Sequence, residues 1–309
     1  IAFSEAVIVT GTPTLTLNAG TRDAVVNYVS GSGSSTLSFR YVVLAGDLIS
    51  ALNIKTSSAL ALNGGTIKNS SNLDAVLTLP SPTATGSLGA NKAIVVDTTL
   101  PTVTSFSSTT SDGSYKAGAA INITATLSEA VTTAASITVT LDNGQTVVLT
   151  HSAETDTLTG SYTIGAGQSS SDLGVSSYAL TSAPADAAGN IMTSTTLPAG
   201  NISGTRAIVV DTTLPTVTSF SSTTTDGAYK VGSTINITAT LSEAVSTAAS
   251  ITVTLDNGKT VVLTHSAVNN TLIGTYTVAA GDTSADLTVS SYALTSAPVD
   301  AAGNIMSDL

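Results

Sequence analysis

Carboxylates are scarce in this 309-residue chain, 20 Asp and Glu in all, and several return at the same places in successive segments. In one segment the set is Asp97, Glu129, Asp186 and Asn190; in the next it is Asp211, Glu243, Asp300 and Asn304. Three carboxylates, an amide and nearby loop carbonyls are hard oxygen donors, and calcium takes roughly six to eight of these in a flexible cage. Counting strand reversals carries each set to one end of its domain, so Ca2+ at the domain junctions is the expectation. A plainer reading stands beside it: acids at strand ends cap turns and keep sheet edges soluble. Asp112 and Asp142, with Asp226 and Asp256 in the next segment, fall at the opposite end. In head-to-tail order, Asp112 and Asp142 would face Asp211, Glu243 and Asp300, and such carboxylates repel unless a cation joins them.

Other chemistry is thin. The two histidines, His151 and His265, are one residue met twice, and a lone histidine at a strand end reads as a surface residue rather than a base. There is no cysteine to act as a nucleophile or form a disulfide, so the cores must be self-sufficient or held by a metal. Glycine clusters such as the one at Gly31 precede no helix that could hold a phosphate. No catalytic residue is expected and the chain does not read as an enzyme. A net charge of −11 with only 9 basic residues argues against nucleic acid. No apolar run approaches the ~18 residues of a membrane span. The opening IAFSEAV reads as mid-strand with no signal peptide before it, as in an excerpt or processed product. Lys116 and Lys230 read as solvated turn lysines.

The elements that must position the acids come from a repeat. IVVDTTLPTVTSFSSTT occurs at Ile94 and again 114 residues on, at Ile208, and INITATLSEAV, ASITVTLDNG and SSYALTSAP recur with it. Within one period the phrases PTVTSFSS, INITATLS, SITVTLD, TVVLTHS, TLTGSYTIG, DLGVSSYAL and RAIVV alternate apolar and polar residues, the pattern of half-buried strands. Residues 111–118 and 142–145 read as turns, the latter carrying the Asn143-Gly144 hairpin signal. Seven strands in ~110 residues is the count and size of an immunoglobulin-like sandwich. The fold class is therefore all-β: tandem immunoglobulin-like β-sandwich domains in a head-to-tail array. The repeats are 1–96, diverged and incomplete at its N-terminal side, 97–210, and 211–309, which lacks the final strand. In the first copy FSEAV at Phe3 keeps the acid as Glu5, but the DAAGN position reads Asn69-Ser70-Ser71-Asn72, so a site there is expected to be weak or absent. Excision from a longer array accounts for both incomplete ends; strand donation by a neighbouring chain is the alternative.

Taken in order, VDTTLPTV, LSEAV, DAAGN and the closing AIVVD resemble the tandem bacterial Ig-like repeats of giant extracellular adhesins and related repetitive cell-surface proteins. The resemblance covers all three copies. It implies an extracellular, cell-surface location and calcium at the junctions, with the acidic positions falling on Asp97, Glu129 and Asp186 and on Asp211, Glu243 and Asp300. The function expected is that of a non-enzymatic, calcium-stiffened stalk whose partners are neighbouring copies of the repeat and other subunits of the same fibre. The alternative is a self-assembling subunit of a filament, sheath or surface layer, to which low charge and Thr/Ser-rich faces are suited. Glycan binding ranks last, since platforms for sugars need aromatics and the chain has no Trp and only 4% aromatic residues.

Overall fold

A computed structural model describes residues 1–307 except Thr21, Thr133, Thr247 and Ser266; positions 308–309, the end of the third repeat as read from the sequence, lie outside the described residues. The protein is nearly all β, with 46% strand and 2% helix. The cause is visible in Ala120–Val131. Ile121, Ile123, Ala125, Leu127 and Val131 are buried while the Asn and Thr between them face outward. β-branched residues fit a pleated, half-buried surface of this kind. Among the described residues no helix is long and apolar enough to cross a membrane.

The chain packs as two compact units. The first joins residues 1–102 with the short segments 129–133 and 183–194. In it Ala2–Thr10 pairs with Ser34–Thr36 on one side and Thr66–Asn69 on the other. A second sheet is built on Thr14–Asn18, which pairs with Asp23–Ser30, Asn53–Ile54 and Leu60–Ala61. Leu15, Leu17, Val26, Leu37, Leu60 and Ile67 fill its core. Asp47 is fully buried there, bound by both guanidinium arms of Arg22 (2.7 and 2.8 Å), by the Tyr41 hydroxyl and by the Leu44 amide. The Arg22 hydrogen bonds, then those of Tyr41 and Leu44, hold the Asp47 carboxyl down at about 2 against its burial.

The second unit holds two six-stranded antiparallel sheets of one design. In the second repeat the path runs Val175–Ser182, Ser136–Leu141, Thr146–Thr150, Thr155–Thr163, Ala120–Val131, Val103–Ser107. The third repeat follows the same path through strands displaced by 114 residues. Both sheets curl. Among the described residues their halves join through one pair each, Thr150 with Thr159 and Thr264 with Ile273. The two ends of each path then meet through aromatic rings, Phe106 on Tyr178 at 5.5 Å and Phe220 on Tyr292 at 5.9 Å. Ile137, Val139, Leu149 and Leu158 are buried inside the curl, as are Ile251, Val253, Leu263 and Leu272 in the next repeat.

One element departs from the sequence reading. Gly113–Tyr115, expected as part of a turn, is a short strand paired in parallel with Ile208–Val210. Ile208 and Val210 are buried to 0% and 1% exposure, with Ile202 at 0% just before them. Burying such side chains contributes about 1.5–3 kcal/mol each, which outweighs the local turn preference of Asp112-Gly113.

Candidate metal centre

Each functional side chain is placed by a short local device. Residues i, i+2 and i+4 of a strand line one face, so Leu127, Glu129 and Val131 point the same way. Leu127 and Val131 are buried, and Glu129 between them is half-buried. Leu241, Glu243 and Val245 repeat the arrangement. Asp97 and Asp211 follow the apolar IVV phrase, and each carboxylate is folded back on its own chain. Asp97 Oδ1 accepts from the Thr99 amide and Asp211 Oδ1 from the Thr213 amide, both at 2.9 Å. Asp186 and Asp300 open tight loops in which Gly189 (φ +90°) and Gly303 (φ +88°) take the left-handed conformation that a side chain would oppose.

The two asparagines act as clamps. Asn190 donates its backbone amide to Asp186 Oδ1 at 2.8 Å and its side-chain Nδ2 to Asp186 Oδ2 at 2.7 Å and to the Asp97 carbonyl at 3.0 Å. Asn304 makes the same three bonds to Asp300 and the Asp211 carbonyl, at 2.8, 2.8 and 2.9 Å. The sequence reading counted both among the ligands; in the structure their nitrogens orient the carboxylate and tie it to the first aspartate's backbone.

Three carboxylates meet in each place. Asp97, Glu129 and Asp186 each bring one oxygen into a group whose members all lie within 4.8 Å of one another, and Asp211, Glu243 and Asp300 do the same. Asp186 and Asp300 are buried, the other four half-buried. Among the described residues no lysine, arginine or histidine pairs with any of the six. The crowding falls on the glutamates. Burial, then the charges of Asp186 and Asp97, push the Glu129 carboxyl above its ordinary value. Glu243 is pushed up by burial, by Asp211 and Asp300, and by a hydrogen bond with Asp300. Asp186 goes the other way: burial raises it, but the bonds from Asn190 and the amides of Ala188 and Gly189 prevail and lower it. Oxygen donors held this way, with excess negative charge and no ion pair to a cationic side chain among the described residues, fit a hard divalent cation.

The first repeat has an amide where the other two have a loop carboxylate. Asn69 donates Nδ2 to Glu5 Oε1 at 3.1 Å and takes the amides of Ser71 and Leu73 on its oxygen, both at 3.0 Å. Glu5 belongs to no cluster of three acids among the described residues.

The acids at the opposite end are not brought to these clusters. Asp142 accepts from Ser170 Oγ (2.6 Å) and the Gly174 amide (3.3 Å), and Asp256 from Ser284 Oγ (2.6 Å) and the Thr288 amide (3.3 Å). The Ser284 bond leads in holding Asp256 below its ordinary value. Asp112 lies 3.8 Å from Arg206. These are turn caps, satisfied within their own repeat. Among the contacts from the second repeat to the third is that of Lys116, expected as a solvated turn lysine: its exposed ammonium donates to the Gly303 carbonyl at 2.8 Å, inside the loop that holds Asp300 and Asn304. No local sequence signal marks that contact, which joins residues 187 apart. His151 and His265, expected at the surface, are half-buried and bound to backbone carbonyls, of Ala153 and Ser246.

No protein-family model and no curated protein matches the chain.

Proposed function

We propose that the chain is a non-enzymatic, structural repeat region of an extracellular adhesin or fibre, a stalk of immunoglobulin-like sandwiches whose junctions are stiffened by calcium. One observation carries the reading: the same three-carboxylate cluster is rebuilt at the start of the second and of the third repeat, each time with none of its acids ion-paired to a cationic side chain among the described residues. The curl of each six-stranded sheet, closed by an aromatic pair, supports the sandwich description. Each cluster draws on the segment that leads into the repeat, on a strand end and on a loop, so a shared ion would cross-link all three.

Asp211, Glu243 and Asp300 would hold one ion and Asp97, Glu129 and Asp186 the other. When bound, calcium supplies positive charge and a common ligand. The protein's own part is to aim the oxygens, through Asn190 and Asn304 and through the Thr99 and Thr213 amides. Thermal unfolding in calcium and then in chelator tests the reading. At ten times its dissociation constant the ion adds about 1.4 kcal/mol per site. The expected result is an upward shift, diminished in the Asp211→Ala, Glu243→Ala double variant. Identical melts would leave the acids as solvated turn residues.

A further inference from the structure

The linker phrase VDTT, met at Val96 and again at Val210, carries neighbouring side chains with different partners. Asp97 and Asp211 belong to the clusters of the repeats they introduce. The residues after them, Thr98 and Thr212, bind the repeat just ended. Thr212 Oγ1 accepts from the Gly167 amide and donates to the Gln168 carbonyl, both at 3.0 Å. Thr98 Oγ1 accepts from the Gly46 amide at 2.9 Å and donates to the Asp47 carbonyl at 3.1 Å. Each hydroxyl is used once as donor and once as acceptor, and both threonines are half-buried.

The receiving loop is braced from within its own repeat. The Tyr162 hydroxyl (2.6 Å) and the Gly165 amide (2.7 Å) donate to Gln168 Oε1. The Tyr41 hydroxyl and the Leu44 amide donate to Asp47 Oδ2. In the third repeat the Tyr276 hydroxyl (2.6 Å) and the Ala279 amide (2.8 Å) hold Asp282 Oδ2 in the same way. Asp and Gln alternate at this position without loss of the brace, because either supplies the accepting oxygen. At the second linker the Tyr115 carbonyl also takes the Asp211 amide, at 3.0 Å.

We infer that Thr98 and Thr212 are docking residues: each hydroxyl seats its linker in a braced socket of the preceding repeat, through hydrogen bonds alone. This fastening is separate from the carboxylate cluster, so a linker whose cluster holds no ion stays attached to the repeat before it. Since Asn304 of the third repeat holds the Asp211 carbonyl, residues 211–212 are gripped from both sides. The inference goes beyond the stalk reading and does not depend on calcium.

Amide hydrogen exchange of the chain in chelator tests it, beside a Thr212→Val variant that keeps the side-chain shape and removes the hydroxyl. The Gly167 amide should be protected in the unaltered chain and lose about tenfold protection in the variant, the scale of one hydrogen bond. Thr212→Ser, which keeps a hydroxyl, should retain that protection. Amides of Ser136–Leu141 report whether the second repeat is still folded. Thr98→Val puts the same question to the Gly46 amide in the first repeat. A Gly167 amide that exchanges freely in the unaltered chain, is protected only once calcium is added, or is unchanged by Thr212→Val would each overturn the inference. Equal losses in the Val and Ser variants would overturn it too, since the hydroxyl would then not be the fastening group.

Discussion

The strand-and-loop site of the first repeat and those of the second and third share a backbone plan and differ in charge. In all three an acid sits two residues before a buried valine, at Glu5, Glu129 and Glu243, facing a loop. Where the loop offers Asp186 or Asp300, three carboxylates crowd together and the glutamate is driven up. Where it offers Asn69, the amide donates to Glu5 and the loop satisfies itself. Where an amide stands in the place of that carboxylate, an internal hydrogen bond replaces like-charge crowding. The protein carries its own control.

The largest expected effect that sharpens this contrast comes from the clamp. Asn304 is buried, and both partners of its Nδ2 belong to the cluster. Asn304→Ala should cost about 1.5–3 kcal/mol in chelator, the range for hydrogen bonds to a charged group. Urea denaturation would measure it. A loss within error would mean that solvent, not Asn304, satisfies Asp300.

A smaller effect follows from pH. Glu129 and Glu243 have raised values in the fold, so the folded chain keeps those protons to higher pH than the unfolded chain does. In chelator, stability should therefore fall as pH rises from the ordinary glutamate value through the raised ones. Asp186 is lowered, and its contribution is present above the ordinary aspartate value and lost as pH falls through the depressed one. A mildly acidic stability maximum is the expected outcome in melts at stepped pH. Calcium, which favours the ionised glutamates, should remove the decline on the high-pH side. A decline that persists in saturating calcium would place its origin elsewhere.

Much of this contrast was legible in the chain itself. Period-two alternation fixes the face of Glu129 through Leu127 and Val131, and the near-identity of neighbouring repeats makes the rare acids conspicuous. The all-β class followed from the same alternation. What stayed hidden depends on residues far apart in sequence. Gly113–Tyr115 looks like a turn because its partner, Ile208–Val210, arrives only 95 residues later. The pairing of Arg22 with the buried Asp47 belongs to a diverged repeat with no second copy to align. The far-end aspartates looked equivalent to the cluster until Ser170 and Ser284 showed them to be capped at home. Asn190 and Asn304 were picked out by position, but which atom each would offer depends on a contact 93 residues away.

Isothermal titration of calcium into the chain and into its Asn69→Asp variant tests the central claim most directly. The account predicts two ions per chain, one for each three-carboxylate cluster. The variant should also take two, because Asn69→Asp adds only one acid beside Glu5, which belongs to no cluster of three acids among the described residues. Binding that falls to one ion when Asp211 and Glu243 are both changed to Ala would assign the second site. No heat of binding at millimolar calcium, or an unchanged stoichiometry in that double variant, would contradict the account and leave the clusters as acids without a cation.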